Sequence, residues 1–134
     1  MTFRQKLAVE LARRRTRSPR YSLRAFARDL GVDHATLSQI LRRRRNLTPQ
    51  MVRLLGRRLG LKPAEIAEAC EQQNAETVIR LVASPAFRPD SRWIATRTGL
   101  PLDAVNCALQ RLIYHGQLVM EAVDRWTVVR SPYA

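Results

Sequence analysis

Apolar residues recur at helical spacing along most of the chain, and each recurrence is bounded by a recognisable stop or start. Phe3, Leu7, Val9 and Leu11 sit among Lys and Arg, which predicts an amphipathic helix over residues 3–15 running into Arg13, Arg14, Arg15 and Arg17. Ser18-Pro19 breaks it. Ser22 is placed to cap a helix over Leu23 to Leu30, with Leu23, Phe26, Ala27 and Leu30 on one face and Gly31 as its end. Asp33 can cap the next, which is expected to run through Leu37, Ile40 and Leu41 to Arg44. Thr48-Pro49 reads as cap plus first-turn proline for a helix carrying Met51, Val52, Leu54, Leu55 and Leu59, closed by Gly60. Lys62-Pro63 opens a short helix from Ala64 to about Gln73.

Beyond it the texture changes. A helix is expected over Glu76–Ala83, a loop over Pro85–Pro89, and an Asp90-capped helix over Ser91–Thr98 ending at Gly99. A longer helix over Leu102–Tyr114 stops at His115-Gly116. Two β-type runs follow, Gln117–Ala122 and Trp126–Val129, separated by Val123-Asp124-Arg125. Three helices and then a hairpin is the order of a winged helix. The expected fold is therefore mainly α, in three parts: a basic amphipathic helix over 1–20, a helical bundle over 21–73, and a winged-helix-like segment with a small β-hairpin over 74–134.

Charge sharpens that division. Residues 1–62 hold 17 Lys and Arg against three acids, a net of +14, whereas residues 63–134 hold seven Arg against eight acids, a net of −1. Only Lys6 and Lys62 are lysines, and Arg supplies the planar fork suited to phosphates and guanine edges. A GC-rich genome explains a preference for Arg over Lys, but not its crowding into one half. A half so basic suits a polyanionic partner, because each phosphate neutralised releases a counterion.

Other classes find little support. No stretch approaches ~18 apolar residues, so no membrane span is expected, and the N-terminus lacks a signal-peptide core. Cys70 and Cys107 stand apart without CxxC or a nearby His, so neither a metal site nor a cofactor is expected, and both read as reduced, partly buried thiols of a cytoplasmic protein. Two His, no Ser/His/Asp or Cys/His set, no HExxH and no Gly-rich phosphate loop argue against an enzyme. Trp93 and Trp126 read as packing residues rather than base-stacking ones.

The segment SLRAFARDLGVDHATLSQIL has the parts of a helix-turn-helix in order. One helix braces while the next lies in the major groove, so the motif needs a small residue where they touch, a tight turn, and apolar anchors under the second helix. Ala27, Gly31, and the set Val32, Leu37 and Ile40 meet those needs. Residues 21–72 accordingly resemble the Cro/repressor-like (Xre-type) helix-turn-helix domain, a bundle of five short helices. RNLTPQMVRLLGRRLGL is similar to that family's closing element, where a Thr/Ser-Pro pair starts the fourth helix. The whole chain also resembles a little-characterised family of bacterial two-domain regulators, through YSLRAFARDLG and FRPDSRWIATRTGLPLDAVNCALQRLIYHGQL.

The resemblance implies that His34, Ala35, Thr36, Ser38, Gln39 and Arg42 face DNA from the second helix of the motif. Side-chain chemistry then suggests roles. Gln39 can pair with adenine, Arg42 or Arg43 can fork onto guanine, and Ala35 or Thr36 can meet a thymine methyl. Phosphate contacts are expected from Arg44 and Arg45, from Arg24 and Arg28, and from Arg13, Arg14, Arg15 and Arg17. Where the family often has Gln or Ser, this chain has Asp33-His34. A carboxylate facing phosphates is repelled, so Asp33 is read as a cap. His34 stands between a DNA contact and a solvent-facing residue, and the run Arg42–Arg45 between a phosphate grip and a charged helix end.

Ala95, Gly99 and Val105 repeat the spacing of Ala27, Gly31 and Leu37. The second helix of that repeat offers Asn106, Gln110 and Arg111 without a basic cluster, which favours dimerisation or protein-partner binding over a second DNA contact. The leading expectation is a sequence-specific regulator of double-stranded DNA, a repressor acting as a nucleoid-associated homodimer on a palindromic operator, with autoregulation left open. A nonspecific structural nucleic-acid binder, or an RNA-binding accessory module of a phage-defence or toxin–antitoxin system, stays open beside it.

Overall fold

Side chains fix most of the helix starts. The structure, a computed structural model, describes residues 1–129. Helix α1 (Phe3–Arg17) opens on a reciprocal cap, in which the Thr2 hydroxyl accepts from the Gln5 backbone N–H at 3.2 Å and the Gln5 side-chain Oε1 accepts from the Thr2 backbone N–H at 2.8 Å. Ser22 caps α2 (Leu23–Leu30), Asp33 caps α3 (His34–Leu41), and Thr48 caps α4 (Pro49–Arg58), whose proline takes the first turn. Asp90 caps α6 (Ser91–Thr98). Each such cap typically contributes about 1 kcal/mol. Helices α5 (Pro63–Val82) and α7 (Leu102–Tyr114) and an antiparallel hairpin of β1 (Leu118–Ala122) and β2 (Arg125–Val128) complete the described residues. The fold is thus mainly helical with a small C-terminal hairpin, as expected. The last five residues of the segment expected over 74–134 lie outside those described.

The chain folds into two compact units, one ending at Cys70 and the next beginning at Glu71. In the first, α1 supplies Phe3, Leu7 and Leu11 to the same core as Phe26 and Leu30 of α2, Leu37 and Ile40 of α3, and Val52 and Leu55 of α4. The basic segment 1–20, set apart in the sequence pattern, is therefore a wall of this bundle. In the second unit, Val78 and Val82 of α5, Ile94 of α6, Val105, Leu109 and Leu112 of α7, and Leu118 of β1 form a separate core. Trp93 and Trp126 are half-buried and pack edge-on or tilted against Phe87, 5.9 and 5.4 Å between ring centroids, which makes them packing residues.

Three local expectations change. The two helices expected over 64–73 and 76–83 are one, Pro63–Val82, since no Gly or Pro interrupts it and Ala75 and Val78 are buried. Helix α3 stops at Leu41 instead of reaching Arg44. There Arg43 turns to the left-handed region (φ 59°), its N–H donates to the Ile40 carbonyl at 3.1 Å, and Arg44 N–H donates to the Gln39 carbonyl at 2.8 Å. This is the pairing of a Schellman cap, with Arg where Gly is usual. Cys107 is exposed rather than partly buried, because it lies on the outer face of α7; Cys70 is half-buried, and both are free.

Gly56 shows how tightly α4 meets α5. It is buried, and a Cβ placed on it would lie 2.9 Å from Ile66 Cγ1. Gly56→Ala is expected to lower stability by about 1 kcal/mol in urea unfolding, because overpacking outweighs the gain in helix propensity. Adding Ile66→Ala should recover part of that loss, a coupling that a double-mutant cycle reads directly.

Candidate nucleic-acid interface

The turn between α2 and α3 is built from residues with no freedom to differ much. Gly31 adopts φ 73°, and the Val32 N–H closes back on the Ala27 carbonyl at 3.0 Å. Ala27 is buried at the crossing, and Leu37 and Ile40 pin α3 beneath. The Asp33 carboxylate accepts from the Ala35 and Thr36 N–H groups at 3.1 and 3.3 Å, so it serves as the cap expected of it. A negative group also suits the positive end of the helix dipole.

With Leu37 and Ile40 inward, the outer row of α3 is set by helical spacing. Ala35 and Gln39 are exposed one turn apart, and Arg42 follows as the exposed C-terminal cap residue. His34, Thr36 and Ser38 flank that row and are half-buried. Arg43 and Arg44 extend it into the loop, exposed; neither they nor Arg42 have an ion-pair or side-chain hydrogen-bond partner among the described residues. Arg45 is different. Its Nη1 donates to Thr36 Oγ1 at 3.2 Å and to Gln39 Oε1 at 3.4 Å. On α2, Arg24 and Arg28 are exposed one turn apart, and neither is bonded to a described side chain.

The arginines at the end of α1 divide differently. Arg13 and Arg14 both bind Glu10, at 2.7 and 2.9 Å, and Arg15 Nε donates to the Tyr21 carbonyl at 3.3 Å. Arg14 also donates to the Tyr21 hydroxyl at 3.0 Å and lies over the rings of Tyr21 and Phe26, 5.9 and 5.1 Å from their centroids. The Tyr21 hydroxyl in turn donates to Asp29 Oδ2 at 2.6 Å, and burial followed by that bond pushes the phenol's pKa up. Arg14 thus joins α1 to α2, and its guanidinium is already used within the fold. Arg17 is exposed.

Sequence reasoning missed Arg4. It is 9% exposed, its Nε donates to the Ile40 carbonyl at 3.2 Å, and its Nη2 donates to the Arg45 carbonyl at 2.9 Å. A guanidinium from α1 therefore ties off the C-terminus of α3 and the loop behind it, where the helix dipole favours a cation. The available signal was slight: Arg4 lies next to Phe3 and one turn before Leu7, within the face that proves to be buried.

A braced helix, a left-handed turn and a second helix with an exposed polar row running into unpaired arginines define a helix-turn-helix unit. Residues 6–69 match the family model of a helix-turn-helix domain. That domain type binds DNA and serves transcription regulation. Searches of curated proteins and of solved structures returned no match. No helix among the described residues is long and apolar enough to cross a membrane.

Two measurements follow. Arg43 holds a left-handed conformation that costs an L-residue about 1–2 kcal/mol, so Arg43→Gly is expected to raise stability by about 0.5–1 kcal/mol after the entropy of glycine is counted. The same substitution should weaken DNA binding, which titration of a labelled duplex would read. Glu10 has its pKa lowered from the usual 4.5 to about 2, chiefly by the Arg13 hydrogen bond and then by Arg14, against an opposing burial effect. Its ion pairs therefore stabilise the fold above pH 4.5, and that contribution is lost as the pH falls toward 2. Glu10→Gln should flatten this part of an acid-unfolding curve.

Proposed function

We propose that the chain is a sequence-specific regulator of transcription that reads double-stranded DNA with α3 in the major groove. The observation that carries this is the exposed row Ala35, Gln39 and Arg42 on a helix pinned from below, continuing into the partner-free side chains of Arg43 and Arg44. Gln39 is assigned to adenine, Arg42 and Arg43 to guanine, and Ala35 with Thr36 to a thymine methyl. His34 and Ser38 lie at the edges of that contact. Arg44, Arg24, Arg28 and Arg17 grip phosphates, with Arg13 and Arg15 adding to the field from their exposed positions.

The regulator acts as a repressor and binds as a homodimer in the cytoplasm, on the nucleoid. Two-fold pairing of copies calls for half-sites about one helical turn apart. Assembly or partner binding falls to the second unit. Support comes from its charge, near zero against +14 for residues 1–62. Its winged-helix-like order of helices and hairpin repeats the small-residue and glycine spacing, with Gly99 at φ 76° and Gly99 N–H bonded to the Ala95 carbonyl. Yet α7 exposes Asp103, Asn106 and Gln110 rather than a basic row, and Leu102, Ile113 and Tyr114 beside them are also exposed.

A nonspecific binder is the second reading, favoured by the loop of unpaired arginines. Selection from random duplexes separates the two: a regulator prefers its site over random DNA by at least ~10³, whereas a nonspecific binder shows a steep salt slope and no preferred site. On the preferred site, Gln39→Ala and Arg42→Ala are each expected to cost ~1–3 kcal/mol in Kd. Arg44→Ala should weaken all duplexes alike and reduce the salt slope by about one. Wild-type affinity in both the Gln39 and Arg42 variants would dismiss α3 as the reading helix.

A further inference from the structure

Arg45 lies four residues past the end of α3, yet its side chain returns to the helix and meets two members of the outer surface, Thr36 and Gln39. Its backbone is held for the purpose. The Arg45 carbonyl accepts from buried Arg4 at 2.9 Å, the same guanidinium binds the Ile40 carbonyl, and the left-handed turn at Arg43 closes the loop between them. The origin of the Arg45 side chain is therefore fixed relative to α3 by two hydrogen bonds from α1.

A guanidinium carries five donors and no acceptor. It can meet only the oxygen of the Gln39 amide, and that settles which way the amide faces. Oε1 turns to Arg45, which leaves Nε2 on the other branch of the amide as the group free of that bond. An unrestrained glutamine offers either edge and so tolerates bases of opposite polarity. A pinned one has its Oε1 engaged by Arg45 and leads with its NH2 donors. That arrangement suits the acceptors of the groove edge, N7 of adenine, N7 and O6 of guanine and O4 of thymine. It opposes cytosine, whose major-groove edge presents only the N4 donor.

We propose that Arg45 is a positioning residue that sets specificity: by orienting the Gln39 amide it makes the reading helix reject cytosine at the base Gln39 contacts. This rests on the reading of α3 as the groove-binding helix, and it replaces the phosphate contact expected of Arg45 from sequence.

The test uses the full chain and four duplexes differing only at the base pair that Gln39 reads. Loss of preference in Gln39→Ala, after selection of a site from random duplexes, identifies that pair. Wild type should bind the cytosine duplex about tenfold or more below the best one. Arg45→Met keeps the aliphatic stem of an exposed side chain but removes its donors. It is expected to lower affinity for all four duplexes through the lost charge, and in addition to shrink the cytosine penalty to about twofold, a change of ratio that charge loss alone does not produce. If Arg45→Met weakens the four duplexes by one common factor, Arg45 is a phosphate contact and the proposal is wrong, while the assignment of Gln39 stands. If Gln39→Ala leaves every base preference intact, or wild type selects no site, the reading of α3 and the role of Arg45 fall together.

Discussion

The buried guanidinium of Arg4 is the constraint on which the functional end of the first unit depends. A helix leaves its last carbonyls without partners, and α3 must end where its outer face is most useful. Arg43 and Arg44 close back on Ile40 and Gln39, and Arg4 adds a second bond to the Ile40 carbonyl and one to the Arg45 carbonyl beyond the turn. Burying a charge under a run of four arginines opposes like charge with like. Charge-assisted bonds to two carbonyls at the negative end of a helix dipole offset that cost. The result is a basic loop whose backbone is set by α1, so that its side chains point from a fixed base.

The arginines of the first half consequently do three different jobs. Arg4 and Arg14 hold elements together: Arg4 ties α1 to the end of α3, and Arg14 links Glu10, Tyr21 and Asp29 between α1 and α2. Arg45 reaches back to Thr36 and Gln39 on the outer surface of α3. Arg42, Arg43 and Arg44 remain turned to solvent, their side chains without partners among the described residues. Net charge alone does not separate these roles, since every one of them counts as +1 in a composition.

The same turn chemistry occurs twice. Gly31 and Gly99 both take the left-handed region, and the N–H of each bonds back into the helix before it, while Leu37 and Val105 are fully buried on the helix after. Backbone geometry explains why both pairs of helices cross by means of a glycine and a small residue. It does not make them equal in use, because the exposed face of α7 carries Asp103, Asn106 and Gln110 where the end of α3 runs into Arg42, Arg43 and Arg44. The two units thus lay different surface charge over a shared turn motif.

Local chemistry made much of this protein legible from sequence. Ser22, Asp33, Thr48 and Asp90 each bond to N–H groups one turn ahead, so the helix starts follow from neighbouring residues. The turn at Gly31 and the buried Leu37 and Ile40 follow from spacing for the same reason, and they place Ala35, Gln39 and Arg42 outward. The end of α3 did not follow. Nothing in a run of identical arginines says which one leaves the helix, and the turn at Arg43 is set among bonds that include one to Ile40 from Arg4, 36 residues before it in the chain. Likewise, which arginines face inward depends on acceptors brought near by packing, as the Tyr21 hydroxyl and the Asp29 carboxylate are for Arg14. Sequence determined the elements and their amphipathic faces, because those depend on near neighbours. Tertiary structure decided which cations bridge elements, because a long, flexible cation takes that role from whatever distant acceptor the fold brings within reach.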